Sequence, residues 1–184
     1  MPTANKKMQK ERYNNVLVIA GTGRESGKTT LACLIIEKFR HLEPVAVKIS
    51  PHFHEPAEGL INWHLDNNFN LYRETSRSGN KDTTRMLNAG AADAYYIQAY
   101  DRNTKEAFRL VISNIRADTP VICESPSLAR YIEPAVLFIT DNKEFKYKKE
   151  MKVLLSRAHK VFFPLTEKVN LSNLDFSGGR WIFG

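Results

Sequence analysis

One run of fifteen residues constrains this chain more than any other: V-L-V-I-A-G-T-G-R-E-S-G-K-T-T, from Val16 to Thr30. Five apolar residues, Val16 to Ala20, are long enough for a buried parallel strand. The glycine-punctuated turn after them leads straight into the apolar helical pattern of Leu31 to Phe39. A strand, a tight glycine loop and a helix in that order predict a phosphate loop.

The residue types explain the expectation. Gly21, Gly23 and Gly27 let the backbone turn its N–H groups toward one point, and the helix beginning near Lys28 adds the positive end of its dipole there. Lys28 would reach the terminal phosphates, and the Thr29 hydroxyl would bind magnesium. The expected nucleotide contacts are the loop itself, Gly21, Thr22, Gly23, Arg24, Glu25, Ser26 and Gly27, followed by Lys28, Thr29 and Thr30. Arg24 reads equally well as a phosphate contact, a residue serving a partner's site across a dimer, or an exposed loop arginine.

The spacing is unusual. The common form G-x-x-x-x-G-K-[ST] would need a glycine at position 22, which is Thr22, so the bracketing Gly21 and Gly27 stand one residue further apart. This longer loop resembles G-T-x-x-x-x-G-K-T of dethiobiotin synthetase. It also resembles the loop of MobB, the small nucleotide-binding protein of molybdopterin guanine dinucleotide synthesis.

A length of 184 residues suits one domain with a substantial core. We expect residues 1–14 to form a flexible basic N-terminus and 15–184 a single P-loop NTPase domain. No apolar run approaches the ~20 residues that span a bilayer, which predicts no membrane partner. The polar start, with Lys6, Lys7, Lys10 and Arg12, lacks the apolar segment of a secretory signal, so a cytoplasmic protein is expected. Cys33 and Cys123 sit on separate apolar segments, where reduced, inert thiols are expected. The net charge of +7 lies largely in short tracts without interleaved aromatics. We read it as solvated surface rather than a nucleic-acid footprint, with a phosphate-bearing ligand or an acidic partner as the secondary reading.

Further strands are predicted at Val45–Ser50, Phe69–Glu74, Ala92–Ala99, Pro120–Glu124, Ala135–Ile139 and Lys160–Phe163, with R-W-I-F as a terminal candidate. Helices are predicted at Thr83–Asn88, Thr104–Ile115, Ser127–Ile132 and Tyr147–Ala158. Pro51 to Asn80 is the least regular stretch, where substrate-facing loops are expected. The alternation predicts an α/β fold, a mostly parallel sheet with helices on both faces, whose ligand crevice lies outside the carboxyl ends of the strands.

Residues just after those strands are the site candidates. Lys48 could hold a phosphate or only snorkel from the sheet. His52 and His54, with His64 or Glu55, offer a metal site or a polar loop. Asp82 stands where a helix N-cap belongs and could also face the phosphates. Glu124 follows an apolar strand, where a carboxylate can hold magnesium and orient an attacking water. Asp141, Asn142 and Lys143 could frame a nucleobase, and the basic run Lys143 to Lys152 reads as the exposed start of a helix.

Two further segments extend the resemblance. A-V-K-I-S-P-H-F-H is similar to the strand and histidine-bearing loop of MobB-like proteins, and N-K-D-T-T-R-M-L-N-A-G-A, Asn80 to Ala91, to their Lys-Asp segment and arginine-bearing helix. MobB also carries a glutamate after the strand matching Glu124, although a glycine usually follows there and Ser125 does here. The resemblance implies GTP with Mg2+, weak hydrolysis, a partner enzyme of cofactor synthesis and a homodimer. Catalytic roles then fall to Lys28, Asp82 and Glu124, and metal binding to Thr29 and Glu124. The alternatives are an ATP-dependent, carboxylate-activating synthetase of the dethiobiotin or cobyrinate kind, and an NTPase that delivers a metal or cofactor.

Overall fold

The chain is described by a computed structural model covering residues 10–142, 147 and 149–184. Its central strand is β1 (Glu11–Gly21), and residues Val16 to Ala20 are wholly buried. Their side chains alternate between two cores, with Val16, Val18 and Ala20 on one face and Leu17 and Ile19 on the other. A strand covered on both faces has no use for polar residues, hence the continuous apolar run.

The other strands of this sheet are β2 (Val45–Ser50), β3 (Leu60–Leu65), β4 (Phe69–Glu74), β5 (Asp93–Ala99), β6 (Val121–Glu124), β7 (Ile132–Thr140) and β8 (Lys160–Phe162). Their order across the eight-stranded sheet is β3-β4-β5-β2-β6-β1-β7-β8. From β5 to β8 the neighbours are parallel, whereas β3 and β4 add an antiparallel margin. Helix α1 (Lys28–Lys38) and α2 (Asp82–Asn88) pack on one face, α3 (Thr104–Ile112) and α4 (Lys149–Leu155) on the other. The expected α/β fold with a mostly parallel sheet is present. Among the described residues no helix is long and apolar enough to cross a membrane.

Several boundaries differ from the sequence reading for identifiable reasons. β1 begins at Glu11, inside the segment expected to be flexible, because Glu11, Arg12 and Tyr13 pair with Ile132, Glu133 and Pro134 of β7. The register shifts between Tyr13 and Leu17, an irregularity of the kind that accommodates a strand proline. The expected loop Pro51–Asn80 contains β3. Its sequence, L-I-N-W-H-L, alternates from Ile61 to Leu65, but it lies at the sheet edge and its apolar set, Ile61, Trp63 and Leu65, is exposed. The turn into β4 is closed by Asp66, whose carboxylate accepts the N–H groups of Asn68 and Phe69 at 2.6 and 2.9 Å. α3 and α4 are shorter than expected, and the segment after Ser127 forms only a 3-10 turn at Leu128–Arg130.

The tail folds as a separate two-stranded antiparallel sheet, β9 (Leu174–Ser177) and β10 (Arg180–Phe183). Gly178 and Gly179 join them with φ of 58° and 71°, the left-handed pair that a two-residue hairpin requires. This hairpin lies beside α1. Trp181 is 2% exposed, packs edge-on to Phe39 at 4.9 Å, and donates its indole N–H to the Val121 carbonyl at 3.3 Å. Lys38 donates to the carbonyls of Leu171 and Leu174 at 2.6 and 2.7 Å, holding the segment before the hairpin to the helix end.

Candidate functional site

Lys48 of β2 and Glu124 of β6 are register partners on adjacent parallel strands, at or near their carboxyl ends. Their neighbours Val47, Ile49 and Cys123 face the opposite core, so strand alternation turns Lys48 and Glu124 toward the α1 face. There Lys48 Nζ forms an ion pair with Glu124 Oε1 and, at 2.8 Å, with Asp82 Oδ2. Thr29 Oγ1, from the first turn of α1, lies 2.9 Å from Asp82 Oδ1 and 2.8 Å from Glu124 Oε2. The strands, the first helix and α2 thus converge on one point.

That point is chemically constrained. The Thr29 hydroxyl has a single proton for two carboxylate oxygens, so its lone pairs remain open to a cation. Two carboxylates and a hydroxyl form an oxygen-rich set of the kind that suits a hard cation such as magnesium. Burial acts to lower the Lys48 pKa, but Glu124 and Asp82 outweigh it and hold the value above ordinary. For Asp82, burial acts upward, yet Lys48 outweighs it and the carboxyl sits below its ordinary range.

The glycine loop is fastened on its other side. Thr22 Oγ1 donates to Asp141 Oδ1 at 2.8 Å, its N–H donates to the Thr140 carbonyl at 3.0 Å, and Tyr147 donates its hydroxyl proton to Asp141. Ser26, fully buried, shares a hydrogen bond with the Thr140 hydroxyl at 2.9 Å. Gly27 has φ of 86°, and a side chain there would also meet Pro164 at 3.0 Å, so the position requires glycine. Glu25 is held at φ of 55°, a left-handed conformation costly for a non-glycine residue. Lys28 folds back to donate to the Gly23 carbonyl at 2.6 Å. Burial lowers its pKa, and nearby Lys48 adds to the lowering against the pull of Glu124 and Asp82.

Every residue from Gly21 to Thr30, with Lys48, Asp82 and Glu124, lines one cleft of about 1160 Å³. Arg85 and Arg130, which the sequence reading did not single out, line it too. Arg85 lies 3.5 Å from the Thr30 hydroxyl, and Arg130 is ion-paired to Asp101. Their signal was weak because neither directly follows a strand.

Three expectations change. Asp82 is the first residue of α2, not its cap; the cap position is Lys81, and the Asp82 carboxylate reaches across to Thr29 and Lys48. Asp141 is 2% exposed and tethers the glycine loop instead of offering its carboxylate to a base, while Lys143 lies outside the described residues. The histidines do not converge. His52 lines the cleft, His54 Nε2 lies 3.2 Å from the Tyr96 hydroxyl, and His64 Nε2 lies 3.0 Å from Asp66. Among the described residues no group of three or more His, Cys, Asp or Glu side chains is placed to hold a metal. Both thiols are free, and burial raises their pKa values, that of Cys33 to about 11.

Asp82 is positioned by Glu74, which the sequence reading passed over. The Glu74 side chain is fully buried, pairs with Lys81 at 2.8 Å, and accepts from the Ser76 N–H at 2.9 Å and from the hydroxyls of Thr83 and Thr84 at 2.8 and 3.2 Å. Burial acts to raise its pKa, but Lys81, the Ser76 N–H and Thr83 outweigh it, leaving the value below the ordinary 4.5. A depressed carboxyl contributes stability above its unfolded pKa and loses it as pH falls through the folded one. Glu74→Gln is therefore expected to melt about 3–10 °C below the wild type at pH 7, for a loss of about 1–3 kcal/mol. The gap should close as pH drops below 4.5. Melting curves of both proteins across pH 3 to 8 check this, and a pH-independent gap would exclude the ionised carboxylate as its source.

No protein-family model, curated protein or solved structure matches the chain.

Proposed function

We propose that this chain is a P-loop nucleotide-binding protein of the MobB-like kind, which binds GTP with Mg2+, hydrolyses it weakly and acts as an adapter for a partner enzyme of cofactor synthesis. The observation that supports this reading best is the meeting of Thr29, Asp82 and Glu124 beside the glycine loop. Three segments far apart in sequence supply those oxygens, and the loop beside them can turn its N–H groups toward an anion.

In this reading Gly21 to Gly27 orient the phosphates through backbone N–H groups. Lys28 leaves the Gly23 carbonyl to offset charge on the terminal phosphates. Thr29, Asp82 and Glu124 would hold magnesium, which neutralises phosphate charge when bound. Glu124 accepts a hydrogen bond from the attacking water and so fixes its direction. Asp141 keeps the loop in shape through Thr22 without touching the nucleotide. A protein that only positions phosphates for a partner need not turn them over fast.

A second reading, the ATP-dependent synthetase, draws on the size of the cleft. A volume of about 1160 Å³ exceeds the usual range for one small ligand, and Arg85 and Arg130 are among its lining residues. Calorimetric titration with GTP and with ATP, each with Mg2+, separates the two. GTP binding at least about tenfold tighter than ATP is expected. An ATP preference would favour the synthetase, and absence of heat with either nucleotide would overturn both.

A further inference from the structure

The cluster behind the glycine loop contains its own cation. Lys48 Nζ contacts both carboxylates that would hold a metal, and its side chain is only 17% exposed. The strand that carries it lies between β5 and β6, so its backbone cannot withdraw from the sheet. Only the four-carbon stem can swing the ammonium group away. Asp82 and Glu124 bring two negative charges, and Lys48 together with nearby Lys28 brings two positive ones, to which Arg85, 4.0 Å from Asp82, adds a third. Both carboxylates are therefore neutralised without any bound ion. A divalent cation entering alone would face two ammonium groups with nowhere better to go.

A polyphosphate changes that balance, because it supplies new anionic partners for both lysines on the open side of the cleft. We infer that Lys48 is an internal counter-ion that excludes free Mg2+ from Thr29, Asp82 and Glu124 until a nucleotide arrives. Resting on the nucleotide reading above, this makes metal and nucleotide binding mutually dependent. Linkage then requires the coupling to run equally in both directions. The protein takes its metal with the nucleotide, and the cellular pool of free Mg2+ leaves the resting site unchanged. Lys48 is a positioning residue here, since it acts through the two carboxylates it holds.

The test uses the nucleotide-free protein and Mg2+ alone. Wild type, Lys48→Met and Lys48→Arg are titrated with Mg2+ by calorimetry, and each is melted with and without the ion. Lys48→Met is expected to bind Mg2+ at least about tenfold more tightly than wild type and to gain roughly 3–5 °C on Mg2+ addition. Wild type and Lys48→Arg, which keeps the charge, should show neither response. If Lys48→Met does not fold, Lys48→Gln retains a donor for one carboxylate and is expected to show the same gain. Equal Mg2+ affinity in wild type and the folded neutral variant would overturn the inference. Failure of the nucleotide reading is seen separately, as absence of GTP binding in a protein whose Lys48 variants still gain Mg2+ affinity.

Discussion

Lys28→Ala is expected to lose GTP affinity by at least about thirtyfold while its folding stability stays within about 1 kcal/mol of wild type. The first part follows from charge. In the proposed complex the ammonium group meets the terminal phosphates in a desolvated site, where truncating one partner of a charged pair costs about 2–5 kcal/mol. The second follows from what Lys28 does in the nucleotide-free protein. It donates to the Gly23 carbonyl, and burial lowers its pKa, so the hydrogen bond gained is offset by the cost of burying the charge. Calorimetry with Mg2+ and GTP, paired with urea unfolding of the same variant, checks both parts. Unaltered affinity would remove the phosphate loop from the argument altogether.

Trp181→Ala should produce the opposite division, a large loss of stability with little change in ligand affinity. The indole is buried against Phe39 and Phe176, with ring centroids at 4.9 and 5.0 Å, and its N–H is bonded to the Val121 carbonyl. Removing a buried aromatic of this size costs about 3–5 kcal/mol, which for a chain of this length lowers Tm by roughly 6–20 °C. Val121 is the first residue of β6 and Glu124 the last, so the lesion lies at the far end of the strand from the site. GTP titration well below the melting temperature should therefore match wild type. A comparable fall in affinity would mean that the hairpin also supports the cleft.

These variants also mark what the sequence could reveal. Val16 to Thr30 was readable because local pattern and final environment agree: an apolar run buried on both faces, then glycines where the backbone must turn. Glu124 and Lys48 were readable as site candidates because strand ends in an α/β sheet border the crevice. Their contact with each other was not, since register between β2 and β6 is a tertiary fact. Asp82 shows the limit of reading an acidic residue before a helix. Capping and reaching across to Thr29 look the same in sequence, and one residue of helix boundary decides between them. Asp141 fails in a similar way, because depth alone separates a loop tether from a base contact. β3 went unread although Ile61, Trp63 and Leu65 alternate with Asn62 and His64, because that short pattern sits among loop-like residues and its apolar side chains face out of the core. The Gly178-Gly179 turn carried a usable hairpin signal, but the apolar residues beside it gain meaning only once Phe39 and Phe138 offer rings to cover.

The position of that hairpin also bears on how the protein is made. Phe39 emerges from the ribosome early, whereas the tryptophan that covers it follows about 140 residues later. At roughly 5–20 residues per second, the interval is on the order of ten to thirty seconds. Throughout it Phe39 and the core residues around it lack the cover that the hairpin later supplies, and the nascent polypeptide presents an apolar patch to whatever chaperones attend the tunnel exit.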